Sequence, residues 1–286
     1  MISPAAPNTE TPSTPSPLLA LHMFPILASD FKCDISFPIG KCYPVRFADR
    51  PAMDLAEIAK ALREDLELEE SPVQISYLES PPAGVTAHVD PVPSSCTFWG
   101  LGRGRSFWAE LSSHRSCEIG AYVLGVPPEG ELGQRLTDTL GRMQETGYLR
   151  PQEPSRIPHL SEPPRYVYYG PLGERPIPPT VAVLFVRPAS AMLVAEAASP
   201  TGAHPFQVPL LGRPACAVVP YVLTHPEPVA LSLACTGFRT YAQPGEDKLL
   251  VAIRGPALPE FSRAVHHIRE ANEEVEHTAS SRLAAL

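Results

Sequence analysis

The chain has no basic cluster or stripe. Its 286 residues carry 23 Lys and Arg against 31 Asp and Glu, a formal charge of −8. Nucleic-acid binders present a basic face, and anionic membrane surfaces attract basic segments, so neither nucleic acid nor a membrane is expected as a partner. No apolar run is long enough to span a bilayer. The longest early one, residues 18–28, is short and is interrupted by His22 and Pro25. No Lys or Arg precedes Lys32, whereas a secretory signal opens with a basic segment. A cytoplasmic protein with reduced cysteines is therefore expected. Catalytic signatures are equally scarce. There is no Gly-x-Ser-x-Gly elbow and no Cys-x-x-Cys-His haem attachment. HHIRE (266–270) lacks the spacing of a zinc-binding His-Glu-x-x-His, so His266 and His267 are expected on a solvated helix face. GLGRG (100–104) has neither the Lys-Ser/Thr ending of a phosphate loop nor a complete dinucleotide fingerprint.

Proline is abundant instead, at 36 residues spread without a period. Many short elements punctuated by prolines follow from that. Hydrophobic residues make up 44% of the chain, enough for a large core, and the length suits one large domain or two fused halves. Residues 1–17 read as a disordered Pro/Ser/Thr-rich tail. Residues 18–50 read as an extension holding a hairpin at 31–47, with Cys33 and Cys42 on its arms as facing thiols or simply as strand residues. A first half spans 51–149. It opens with an amphipathic helix at 51–70, followed by strands at 73–78 and 83–89 and a surface helix at 131–149. A proline-rich connector covers 150–179. The second half, 180–286, has the buried strand TVAVLFV (180–186), a helix at 189–199, strands at 228–234 and 248–254, and a long charged helix at 258–284. The expected fold is a mixed α/β or α+β domain with an internal duplication and flanking helices.

The duplication is read from a repeated motif. SCEIGAYVLGVPPE (116–129) and ACAVVPYVLTHPEP (215–228) align Cys117 with Cys216, Tyr122 with Tyr221 and Pro127 with Pro226, at an offset of 99. PPAGVTAHVDP (81–91) and PPTVAVLFVRP (178–188) match at an offset of 97. Two further cysteines share a setting: Cys96 in SSCTFWG and Cys235 in ACTGFRT are each followed by Thr and then an aromatic. Ser116 is a good helix cap before Cys117, and Cys235 ends a predicted strand. Strand ends and helix starts are where α/β sheets build ligand sites, and helix N-termini favour thiolate. Arg239 adds positive charge, and His88 and His114 lie near the cysteine segments as candidates for proton transfer. Trp99, Tyr122 and Tyr221, with Phe98, Trp108 and Phe238, could line an apolar pocket or could pack in the core.

SPVQISYLESPP, SSCTFWGLGRG, SCEIGAYVLG, PPRYVYYGPL, TVAVLFVRPASAMLVAEA, ACAVV and ACTGFRTY together resemble the uncharacterised ArCR family of archaea and bacteria over roughly residues 52–277. ACTGFRTY is similar to a Gly-Cys-x-Gly-x-Arg segment of that family, with Ala234 in place of the first glycine. The resemblance implies recurrent cysteines at Cys96, Cys117, Cys216 and Cys235, and hence a thiolate-bound cofactor. It implies no reaction.

Four chemistries stay open for these cysteines. Four thiolates suit an iron–sulfur cluster or zinc. The gaps between them are 21, 99 and 19 residues, so the close Cys-x₂₋₄-Cys pairs usual for structural zinc are missing. A haem- or corrinoid-like ligand, or another small molecule in a cysteine-lined pocket, is a second class. Metal-free thiol catalysis is a third, and simple core packing a fourth. The leading expectation is an iron–sulfur protein in redox or sulfur-transfer chemistry. Its metal ligands would be Cys96, Cys117, Cys216 and Cys235, supported by Arg239, Tyr122, Tyr221 and Trp99. A small-molecule substrate or redox partner is expected, and a homo-oligomer is compatible with the sequence.

Overall fold

The structure is a computed structural model that describes residues 32–34, 41–43, 54–198 and 208–284. The chain divides into two units, 1–47 and 48–286, each taken by itself. In the first, strands β1 (Lys32–Asp34) and β2 (Lys41–Tyr43) pair antiparallel, with Cys33 opposite Cys42. The tail expected at 1–17 lies outside the described residues.

The second unit is built on a sheet of β3 (Val73–Leu78), β4 (Phe107–Glu110), β5 (Tyr166–Pro171), β6 (Val181–Val186), β7 (Leu210–Leu211), β8 (Val229–Ser232) and β9 (Leu249–Arg254). The order across the sheet is β4-β5-β3-β6-β9-β8-β7. Every pairing is antiparallel except β7 with β8, so the sheet is mixed. Strand β6 is buried along its whole length. Val181, Val183 and Phe185 enter one core, while Ala182, Leu184 and Val186 enter the other. Helices cover both faces, and that is why this strand shows no polar alternation even though its neighbours run antiparallel.

One face carries α1 (Leu55–Asp65), α5 (Pro188–Ala198) and α8 (Leu258–Ala284). The other carries α2 (Cys96–Gly102), α3 (Glu118–Val123), α6 (Val218–Thr224) and α7 (Thr236–Ala242). Helix α4 (Gly130–Glu145) packs on α3. The fold is therefore a three-layered mixed α/β sandwich. Among the described residues no helix is long and apolar enough to cross a membrane.

Several expectations shift. Helix α1 starts at Leu55, where the Glu57 carboxylate accepts the Asp54 backbone N–H at 3.2 Å. Residues 51–53 lie outside the described residues. The strand expected at 83–89 is reduced to a single bridge between Ala87 and Trp108. Prolines flank it, and Val89 is 82% exposed, so there is little apolar surface for a full strand to bury. The connector at 150–179 contains β5, which sits between β3 and β4 and belongs to the first half by its pairing.

The two halves share an order of three strands, and the equivalence this order gives differs from the motif match. Each half places its strands in the same order outward from the central β3–β6 pair: β3, β5, β4 on one side and β6, β9, β8 on the other. In the chain, α2 directly precedes β4 as α6 precedes β8, and α3 follows β4 as α7 follows β8, while α4 in the first half and α5 and β7 in the second have no counterpart. By this order α2 corresponds to α6 and α3 to α7. Cys96 is therefore the counterpart of Cys216, and Cys117 of Cys235. The Tyr-Val-Leu similarity of residues 122–124 and 221–223 joins helices in non-equivalent places.

A buried carboxylate paired with two partly exposed bases fastens α1 to α8. Asp65 is 5% exposed at the end of α1. It accepts from His266 Nδ1 at 3.2 Å and from Arg269 Nη1 at 3.2 Å, both on α8. The hydrogen bond to Asp65 raises the His266 pKa, helped by the charges of Asp65 and Glu270. A raised folded pKa makes the His266 contribution complete below the unfolded value of about 6.5 and removes it as pH rises through the folded value. His266→Gln should therefore lower the melting temperature in mildly acidic buffer and leave it unchanged in alkaline buffer. Asp65→Asn should cost about 1–2 kcal/mol under both conditions, because Arg269 stays charged. Thermal denaturation across pH checks both.

Candidate functional site

Four cysteines, far apart in the chain, line one cavity of about 270 Å³ on the α2/α6 face. Each sits at the start of a helical turn. Cys96 is the first residue of α2, and its N–H donates to Ser94 Oγ at 3.4 Å. Cys117 caps α3, and its sulfur accepts the Gly120 N–H at 3.3 Å. Cys235 caps α7 in the same way, accepting from Phe238 N–H at 3.5 Å. Cys216 lies in the single 3-10 turn Ala215–Ala217 that leads into α6. The capping geometry repeats the topological pairing: Cys117 and Cys235 are half-buried caps, whereas Cys96 and Cys216 lie deeper, at 6% and 9% exposure. All four are free thiols.

The two deep thiols are costly to ionise. Burial pushes Cys96 up to about 12, with Cys235 and Cys117 adding to it. Cys216 is also held well above the ordinary thiol range by burial, then by Cys96, Cys117 and Cys235. No basic side chain offsets this. Arg239, expected to add positive charge, is spent on backbone carbonyls of Gly245, Glu246 and Leu233 at 3.0–3.3 Å and braces the loop after α7. Arg213 does reach the cavity wall, but it lies over the Tyr148 ring at 4.5 Å and pairs with Glu153 at 3.4 Å.

The other expected site residues scatter. Trp99 is a core residue, edge-on to Phe238 at 5.9 Å. Of the aromatics singled out in the sequence, Phe238 lines the cysteine cavity. Tyr122 packs on His159 at 4.8 Å and lines a neighbouring cavity that shares Ile119, Leu140 and Ile157 with the cysteine cavity. Tyr221 stacks on His225 at 4.0 Å and does not line the cysteine cavity. The GLGRG segment has a packing role. A side chain at Gly100 would meet Ala242 O at 2.9 Å, and Arg103 donates to Ala242 O and to Glu70, so α2 is clamped to α7. His88 is wedged between Phe98 and Phe107. Sequence reasoning missed Tyr77 and Tyr169, which sit behind the deep cysteines. Strand alternation places both on the cysteine face of the sheet, but nothing in the sequence brings β5 beside β3.

The model of the uncharacterised ArCR family matches residues 61–263, a span that contains all four cysteines. The chain belongs to the uncharacterised ArCR family. The uncharacterized protein MJ0308 of Methanocaldococcus jannaschii is 28% identical over 171 residues, covering 58% of this chain and 72% of that protein. No solved structure matches the chain.

In this ArCR chain, Ala234 stands where the family resemblance implies a glycine, and its φ is 71°. A left-handed backbone costs an L-residue about 1–2 kcal/mol, less the chain entropy that a glycine adds to the unfolded state. Ala234→Gly should stabilise the protein by about 1 kcal/mol in denaturant unfolding. Gly120 has the opposite sensitivity. A Cβ there would stand 2.9 Å from Ser95 Cβ and 3.2 Å from Cys117 Sγ. Gly120→Ala should cost about 1–3 kcal/mol in the same assay and displace the Cys117 cap.

Proposed function

We propose that Cys96, Cys117, Cys216 and Cys235 hold an iron–sulfur cluster and that the protein works in redox chemistry. The observation that carries this is the convergence of four thiols, two from each half of the sheet, on one largely apolar cavity whose one guanidinium, Arg213, is paired with Glu153. Burial keeps the two deep thiols, Cys96 and Cys216, protonated and makes them poor nucleophiles, and that weighs against metal-free catalysis by either. A bound metal reverses the balance, because coordination deprotonates a thiol outright.

The donor set favours a cluster over a single ion. Zinc at about 2.3 Å from each sulfur needs the four sulfurs about 3.8 Å apart. Among the described residues no three His, Cys, Asp or Glu side chains close in that way on one ion. In a cluster the cysteines bind separate irons, so their sulfurs stand wider apart. Size weighs against a tetrapyrrole. A cavity of about 270 Å³ falls below the roughly 300–1,000 Å³ typical of drug-sized ligands.

Four thiolates cap every iron of a four-iron cluster, which suits one-electron transfer to and from a redox partner. Sulfur transfer or substrate binding at iron requires one cysteine to stay free. Leu140, Met143, Leu149 and Ile157 also line the cavity and suit an apolar portion of a small-molecule substrate.

The test is visible absorption with iron and acid-labile sulfide analysis on protein purified without oxygen. A broad brown absorption with matching iron and sulfide is expected. Cys216→Ser and Cys96→Ser should abolish it, while Cys33→Ser and Cys42→Ser should leave it intact. Protein that stays colourless and free of iron after reconstitution with iron and sulfide would falsify the assignment. A sharp porphyrin-like band or bound cobalt would replace it with a tetrapyrrole.

A further inference from the structure

Beside the cysteine cavity, and sharing Cys216 with it, lies a second space of about 20 Å³, bounded by Tyr77, Tyr169, Ser95, Trp99 and Cys216 among others. That is room for one water. The hydrogen bonds around it have a defined sense. His114 is fully buried, and its Nδ1 lies 3.0 Å from the Glu110 carbonyl oxygen, which can only accept. The ring proton therefore sits on Nδ1. The ring is fully buried, and its two nitrogens meet a carbonyl and a hydroxyl rather than a carboxylate, so it is neutral and Nε2 is a bare acceptor. Tyr169 lies 2.8 Å from that nitrogen and donates to it. Its one proton is thereby committed, and towards the small cavity its oxygen can only accept. Tyr77 is the complement: its hydroxyl is buried and has no hydrogen-bond partner. Its donor is free.

We propose that one water occupies this cavity, accepts from Tyr77, and donates one hydrogen to Tyr169 and the other to the sulfur of Cys216. Three partners are what a buried water typically finds, and the arrangement satisfies the otherwise orphaned Tyr77 hydroxyl. Tyr77 and Tyr169 are then positioning residues, acting on Cys216 through the water. The consequence rests on the cluster reading: a hydrogen bond to a ligating sulfur stabilises the more negative, reduced cluster and raises its potential.

Two experiments separate the inference from that reading. A high-resolution crystal structure of the full-length protein without cluster should show density within hydrogen-bond distance of Tyr77 Oη, Tyr169 Oη and Cys216 Sγ. A dry cavity, or a Tyr77 hydroxyl bonded directly to the sulfur, overturns the proposal whether or not a cluster binds. In reconstituted protein, Tyr77→Phe should shift the midpoint potential downward with unchanged iron and sulfide content, and Tyr169→Phe should shift it in the same direction. A loss of packing alone would lower stability without moving the potential, so unchanged potentials in both variants also overturn it. If the wild-type protein takes up no cluster, the function proposed above fails, and the crystal structure alone decides whether the water is there.

Discussion

The site depends on the antiparallel pairing of β3 with β6 at the centre of the sheet, Val73 opposite Val183 and Ile75 opposite Val181. Two adjacent antiparallel strands exchange places by a half-turn about the sheet normal, which keeps each face of the sheet on its own side. Because three strands of each half follow the same order outward from that pair, with α2 or α6 before β4 or β8 and α3 or α7 after it, α2 and α3 land on the same face as α6 and α7. The packing of α2 on α7 is mirrored by that of α3 on the turn leading into α6. Four helix starts then meet where the halves join. One cysteine in each is enough to make a tetrad that neither half could form alone. Buried polar groups reinforce the seam. Gln74 and Ser76 on β3 donate to the carbonyls of Ile177 and Pro178 just before β6, and Thr180 Oγ1 accepts the Tyr77 N–H.

Gathering four thiols in an apolar cavity has an electrostatic cost only if they ionise. The surroundings offer two partial compensations, the Gly120 and Phe238 N–H groups on the cap sulfurs, and none of the full charges that a reactive thiolate usually enjoys. The nearby guanidiniums are engaged with carbonyls, an aromatic ring and a carboxylate. The two deep thiols are poorly placed as nucleophiles, and on the proposed reading the pocket takes a centre that brings its own positive charge.

Much of the framework was legible because periodicity is local. β6, β9, α1, α4 and α8 all follow from runs of apolar residues with the period of a strand or a helix. What failed was non-local. β5 was hidden among prolines in YVYYGPLGERPIPP, although its four consecutive buried residues, Val167 to Gly170, make it a core strand. The 83–89 segment has alternation without a partner long enough to use it. The cysteines were recognisable as a set, but they were aligned by the wrong feature. Tyr-Val-Leu is a strong visual match with no common place in the fold, whereas the nearly equal gaps of 21 and 19 residues between Cys96 and Cys117 and between Cys216 and Cys235 carried the true correspondence. Arg239 looked like a charge for the site because sequence shows proximity along the chain and not which carbonyls a guanidinium will find.

The split between deep and shallow cysteines gives the site a direction. Cys96 and Cys216 face the sheet, where Tyr169, Tyr77 and the neutral His114 form a water-poor wall. Cys117 and Cys235 are partly exposed at the caps of α3 and α7, and Leu233 and Tyr241, flanking Cys235 and α7, are exposed apolar side chains. A centre held by all four is insulated on one side and approachable on the other. On the redox reading, electrons therefore enter and leave past the cap cysteines, while the buried pair sets how firmly the added charge is held. This division of labour follows from the repeat itself: the twofold arrangement supplies each role twice, one deep and one shallow cysteine from each half.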